Sequence, residues 1–140
     1  AAPAEPAPEP EIAFTAVQKV DDDQTYRYAE ASGDHNPIHT DPEFARNAAG
    51  LPGIILHGMA TMAFAGKVIL DEACSGDPSR LWRLKVRFSK PVFPGETLTT
   101  RAWLASSAPA DGIVTYEFET LNTRGSAVLK NGIAEVAAAP

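Results

Sequence analysis

The chain has a single cysteine, Cys74, so an internal disulfide framework and a cysteine-only zinc cage are both excluded. Positive charge is also scarce. Lys and Arg number 12 against 18 Asp and Glu, for a formal net charge of −6. A chain without a basic face is not built for nucleic-acid phosphates, and no nucleic-acid partner is expected. No apolar run approaches the roughly 20 residues of a membrane-spanning helix, so no membrane partner is expected either. The first ten residues lack both the positive start and the apolar core of a secretory signal. Ala137–Pro140 carries no peroxisomal tripeptide, which makes the cytoplasm the expected compartment. What is present, in 140 residues that are 44% hydrophobic, is one ordinary domain with a real core.

Proline punctuates the N-terminus. Four of the 12 prolines fall in AAPAEPAPEP, a stretch that propagates neither helix nor sheet and behaves as a stiff, extended spacer. Residues 1–11 are therefore read as a tail or linker, and residues 12–140 as the domain. From Ile12 to Val20 the residues suit a strand. Asp21-Asp22-Asp23 then offers N-cap candidates for a helix through Tyr26 and Tyr28, with Gly33 as its left-handed stop. Asp34 to His39 reads as a structured loop. Asp41-Pro42 opens a second, short helix that ends by Gly50.

From Gly58 to Ala73 the apolar residues Met59, Met62, Ala63, Ile69, Leu70 and Ala73 recur at helical spacing, with Ala60, Ala65 and Gly66 between them. This composition predicts a buried central helix that neighbours approach closely on most sides. Beyond Pro78 the period changes to two. Leu84, Val86 and Phe88 alternate with Arg83, Lys85 and Arg87, a half-buried strand. Pro91–Gly95 forms a turn, and Thr97–Ala105, Ile113–Leu121 and Ser126–Val136 read as three more strands. Asp111-Gly112 and Arg124-Gly125 supply the hairpin turns. One long helix followed by an antiparallel meander indicates an α+β domain with the sheet wrapped around the helix.

Three polar constellations carry candidate chemistry. In Asp34-His35-Asn36-Pro37-Ile38-His39 the two histidines are four apart, but Pro37 disfavours helical backbone at Asn36, so the pair is not expected to hold a metal. Asp34 and His39 flank a rigid Asn-Pro turn able to aim both at one water for acid–base work; the competing assignment is turn capping by Asp34 and packing by His39. The second constellation is Leu56-His57-Gly58-Met59. Free amides at a helix start favour negative charge, and Gly58 lets a carbonyl oxygen approach the backbone, although glycine there equally serves tight packing. His57 is read as a packing or turn histidine with a satisfied partner. The third is the Arg83/Lys85/Arg87 stripe, either a solvated or cross-paired strand face or a seat for the phosphates of an anionic carrier such as coenzyme A. Cys74 is read as a small packing residue.

These motifs together resemble a known family. Tyr28-Ala29-Glu30-Ala31-Ser32-Gly33-Asp34-His35-Asn36-Pro37-Ile38-His39 is similar to the signature of the MaoC-like (R)-specific enoyl-CoA hydratases. The resemblance continues through Asp41-Pro42-Glu43-Phe44-Ala45, Leu56-His57-Gly58-Met59 and Arg87-Phe88…Pro91-Val92-Phe93-Pro94-Gly95-Glu96-Thr97-Leu98. It spans residues 12 to 137 and is closest to the catalytic half of two-domain hydratases such as peroxisomal multifunctional enzyme type 2. The resemblance implies a hotdog fold, pairing as a homodimer or with a second hotdog half, and no cofactor or metal. It implies a catalytic dyad of Asp34 and His39, Asn36 as a positioning residue, and the Gly58 amide as donor to a thioester oxygen. His35 falls on a variable position and receives no role. The activity implied is reversible hydration of a 2-enoyl thioester, on coenzyme A or a carrier protein, to the (3R)-3-hydroxyacyl thioester. A thioesterase and a non-catalytic partner subunit are the rival assignments on the same fold.

Overall fold

Alternating residues in the C-terminal half do become strands. The computed structural model describes residues 2–106 and 109–139; Ala1 and Pro140, the outer limits of the expected tail and domain, lie outside the described residues. The strands are β1 (Phe14–Lys19), β2 (Leu81–Phe88), β3 (Thr97–Leu104), β4 (Ile113–Leu121) and β5 (Ala127–Ala137). The helices are α1 (Gln24–Ser32), α2 (Pro42–Asn47) and α3 (Gly58–Ala73), with 3-10 turns at Pro37–His39 and Pro78–Arg80. The strands form one five-stranded sheet in the order β1-β3-β4-β5-β2, and every pair in it is antiparallel. Residues 2–13 are exposed and outside regular structure, and Ala13 N–H donates to the Ala102 carbonyl at the entrance to β1.

The sheet order corrects the simple meander. β3, β4 and β5 follow one another as hairpins, but β2 pairs with β5 on the far side, with Leu81 opposite Val136 and Phe88 opposite Leu129. The Pro91–Gly95 turn therefore lies in a crossover and joins no neighbouring strands. Two prolines in it remove amides that a hairpin ladder would require. The crossover is tied down from elsewhere: Leu56 N–H donates to the Val92 carbonyl at 2.7 Å, and Gly95 N–H to that of Val20 at 2.8 Å. The expected hairpin turns are present, with Asp111, Gly112 and Gly125 all at positive φ.

The helix termini follow the sequence in two cases of three. Gly33 ends α1 in the left-handed region, φ 76°. Asp41 caps α2, accepting from the amides of Glu43 and Phe44, with Pro42 at the first helical position. At α1 the N-cap residue is Asp23, but its side chain makes no capping bond. Asp21 and Asp23 instead pair with Arg27 at 2.9 and 3.2 Å. The guanidinium competes for the carboxylates that would have closed on the helix amides.

The central helix needs a larger correction. α3 buries Ala60, Thr61, Ala65, Gly66, Val68 and Ile69, where Ile69 joins Leu98, Phe118 and Leu129 in a core closed to solvent. Each fully buried side chain of that size contributes about 1.5–3 kcal/mol. The opposite side is open: Met59 is 61% exposed, and Ala63, Lys67 and Asp71 are exposed with it. A single curled sheet covers one face of a helix, so the apolar spacing that includes Met59 and Ala63 exceeds what this chain alone can cover.

Candidate active site

Ser32 to His39 is held by a chain of short side-chain clasps. Ser32 Oγ accepts from Asp34 N–H at 3.1 Å, Asp34 Oδ1 from Asn36 N–H at 3.2 Å, and Asn36 Oδ1 from Ile38 N–H at 3.2 Å. Each polar side chain closes over the amide two residues on, the bond that makes Ser, Asp and Asn turn formers. Pro37 forces Asn36 to extended backbone, φ −55° and ψ 125°, and then starts the 3-10 turn that carries His39. The expected incompatibility of His35 and His39 with one helical face holds. His35 is exposed and lies 3.9 Å from Glu30.

The two oxygens of Asp34 have different tasks. Oδ1 caps the loop, while Oδ2 faces His39 Nε2 at 4.0 Å. The His39 side chain is 8% exposed and that of Asp34 53%. His39 Nδ1 lies 2.7 Å from the Ile55 carbonyl. A carbonyl only accepts, so Nδ1 carries the hydrogen and the neutral ring presents a bare Nε2 to the carboxylate. A separation of 4.0 Å is too long for a direct hydrogen bond and suits one water within reach of both groups.

The start of α3 completes the site. Gly58 is its first residue, and His57, the N-cap, makes no side-chain capping bond, so the Gly58 amide has no acceptor in its own helix and lies at the positive end of the dipole. A Cβ on Gly58 would stand 3.3 Å from the Phe88 ring. Glycine thus keeps both the amide and the ring in place. A cleft of about 420 Å³ opens here, lined by Ile38, His39, Leu56, Gly58, Phe88 and Lys90 among others. A cavity of about 410 Å³ around Trp103 and Lys130 is lined by none of these residues.

His39 and Gly58 line this cleft; Asp34 and Asn36 do not line it and adjoin it through His39 and Ile38. Arg83, Lys85 and Arg87 are not among the cleft-lining residues. All three are exposed; Arg83 pairs with Glu135 at 3.3 Å, and Arg87 stands opposite Lys130 across the ladder. Period-two geometry explains this, because Phe88 faces Gly58 and its odd-numbered neighbours face the other way. Two cleft residues were missed. Lys90 sits in the crossover, where a lone cation beside a proline gives no signal. Phe88 was read only as the inward residue of a strand.

His57 is a packing histidine with a partner, as expected. It is 2% exposed, and its Nε2 lies 2.9 Å from the Asp34 carbonyl. Its ring stacks on His39 at 3.7 Å between centroids, tilted 22°, and Tyr28 packs against it at 4.7 Å. The expected partner exists for one nitrogen; Nδ1 is buried without one among the described residues. Adjacency to Gly58 was the available clue. Asp34, His39 and His57 offer donor atoms within 4.8 Å of one another. They nevertheless do not fit a metal, because imidazole lone pairs lie in the ring plane and two stacked planes do not meet at coordination distance.

Known proteins resemble this chain along most of its length. The sequence model of the MaoC like domain matches residues 3–125. The chain belongs to the MaoC-like family. A probable enoyl-CoA hydratase 2 of Dictyostelium discoideum is 39% identical over 117 residues, covering 84% of the chain and 38% of the relative. A MaoC-like dehydratase from Phytophthora capsici superposes with a TM-score of 0.82 at 32% identity, covering 94% of this chain and 42% of that one. Full-length peroxisomal multifunctional enzyme type 2 of Drosophila melanogaster gives 0.80 at 32%, with 96% and 24% covered. The antiparallel sheet around one long helix is therefore the hotdog fold. The chain spans 23% to 38% of the length of the first curated relatives it matches. Among the described residues no helix is long and apolar enough to cross a membrane.

Proposed function

We propose that this chain is an (R)-specific enoyl-thioester hydratase, a hydro-lyase acting reversibly on 2-enoyl thioesters of coenzyme A or a carrier protein. The observation that carries this reading is the 4.0 Å gap between Asp34 Oδ2 and a bare His39 Nε2, next to the open amide of Gly58. The relative from Dictyostelium bears the name of the same activity.

The thioester oxygen binds the Gly58 amide, which draws electrons from the conjugated double bond as charge develops on that oxygen. Water between Asp34 and His39 adds to C3; as the C3–O bond forms, one of the pair takes its proton. A proton passed to C2 completes the (3R)-3-hydroxyacyl thioester, and the reverse sequence is dehydration. Asn36 holds the loop in register through Ile38. Lys90 is the cation best situated for the carrier's phosphate, with Arg83, Lys85 and Arg87 contributing positive potential from the outer face.

Loss of enoyl absorbance with crotonyl-CoA, followed by chiral analysis of the product, tests the activity. An inert protein, or the (3S) product, would overturn it. Release of free thiol without loss of the double bond would assign the chain to the rival thioesterase chemistry. The exposed Met59 on α3, with Trp82 and Phe88 on edge strand β2 at 67% and 51% exposure, supports pairing with a second hotdog unit, a copy or a neighbouring domain. Native mass tests that part. Residues 1–11 serve in this reading as a linker. The cytoplasm stays the proposed compartment and is tested by locating the full chain, since a similar solved protein is peroxisomal.

A further inference from the structure

His57 touches both members of the dyad, yet the hydration step gives it no proton to move. Its Nε2 lies 2.9 Å from the Asp34 carbonyl. Because a carbonyl oxygen only accepts, Nε2 carries the hydrogen, and the neutral ring then has a bare Nδ1. That Nδ1 is buried and has no partner among the described residues. A buried acceptor without a donor is unfavourable, and an apolar ring of similar volume would avoid the penalty. The imidazole must therefore be needed for what its other atoms do. They do two things: the N–H fixes the backbone from which Asp34 projects, and the ring face stacks on His39 at 3.7 Å and 22°. The ring packs against Tyr28 at 4.7 Å, and the His57 backbone carbonyl accepts from the amide and hydroxyl of Thr61 at 3.0 and 3.3 Å.

We propose that His57 is the positioning residue of the dyad, a neutral Nε2–H imidazole that holds Asp34 through its carbonyl and His39 through its ring plane. This rests on the hydratase reading for its kinetic consequences only. Four groups face His57: Tyr28 of α1, Asp34 and His39 of the loop, and Thr61 of α3. The dyad stands at the two ends of the six-residue segment Asp34–His39, and His57, from outside it, engages both ends. Displacements near 1 Å at reacting groups are enough to cost on the order of 100-fold in rate.

Nitrogen-15 NMR of the imidazoles in the intact protein at neutral pH decides the tautomer without any substitution. The expected pattern for His57 is a protonated Nε2 and a bare Nδ1; an Nδ1–H tautomer or an imidazolium would overturn the proposal. Kinetics with crotonyl-CoA decide the role. His57→Phe keeps the ring and loses the donor, so kcat is expected to fall about 50-fold with KM within about threefold and melting temperature little changed. His57→Gln puts an amide N–H near the Nε2 position and should restore kcat to within about tenfold of wild type. Should the Phe variant fail to fold, His57→Asn replaces it, because its shorter amide does not reach the Asp34 carbonyl. Equal rates for the Gln and Asn variants, or a folded Phe variant within about threefold of wild type, would overturn the proposal. A wild-type protein that hydrates no enoyl thioester would remove the hydratase reading, and the tautomer measurement would still decide this one.

Discussion

The two ends of α3 are built on opposite principles. At its C-terminal end the backbone is closed. The amides of Cys74 and Gly76 both donate to the Leu70 carbonyl, at 3.2 and 2.8 Å, with Ser75 and Gly76 in left-handed conformations, φ 52° and 77°. This is the hydrogen bonding of a helix stop. Asp77 then accepts from both the amide and the hydroxyl of Ser79, and Arg80 Nε donates to the Ala137 carbonyl at 3.0 Å. Cys74 is buried; burial pushes its thiol up, away from the reactive thiolate. The N-terminal end leaves groups open among the described residues: no side-chain cap, a free amide at Gly58, and an imidazole nitrogen without a partner. Closed groups stabilise a fold, whereas open ones are available to a ligand, and the same helix supplies both.

The comparison is broken most severely at the open end. Asp34→Asn and His39→Ala should each lower crotonyl-CoA hydration by about 10²–10⁴-fold, while melting temperature moves little. Turnover within a few-fold of wild type in either variant would detach the dyad from the chemistry. Gly58→Ala should cost roughly tenfold in kcat, because its Cβ would press on Phe88 at 3.3 Å and shift the amide from the thioester. An unaltered rate there would mean that this amide does not bind the substrate.

At the closed end only stability should respond. Gly76→Ala forces a side chain into left-handed backbone and should destabilise by about 1–2 kcal/mol, with activity per folded molecule unchanged. Ser75→Gly relieves the same penalty and should raise the melting temperature. A loss of activity in either variant beyond the unfolded fraction would refute the division of labour. The smallest effect belongs to Asp77. Its bonds to Ser79 hold the carboxyl below the ordinary aspartate range, so this contribution is present above the unfolded-state value and is lost as pH falls through the folded one. Asp77→Asn should slightly flatten the decline of melting temperature on acidification and leave neutral-pH activity alone.

Much of the site could be read from the residues because it is local. Asp34 and His39 lie on one short loop whose backbone is dictated by Gly33, Asn36 and Pro37, and side-chain clasps spanning two residues need no tertiary partner. Gly58 was legible as the first residue of a helix. His57 is the buried histidine with a partner that the sequence suggests, but its contact with His39 was not legible, because stacking leaves no mark on spacing. Where the cations lie relative to the cleft was hidden for a related reason. Arg83, Lys85 and Arg87 form an evident stripe, but only Phe88 against Gly58 reveals which face of β2 meets the cleft. The strand order failed similarly: alternation marks β2 as a strand and says nothing about whether β3 or β5 lies beside it.

Sequence by itself determined most of the elements, the loop conformation and the four residues of the candidate site, since propensities, caps and turn geometry act over a few residues. Tertiary structure decided the side of the sheet on which β2 lies, the open face of α3, the tautomer of His39 through Ile55, and the presence of a second imidazole against the first. Those outcomes depend on which distant groups end up in contact. They are fixed when apolar surface is buried and buried hydrogen-bonding groups find partners across the whole chain.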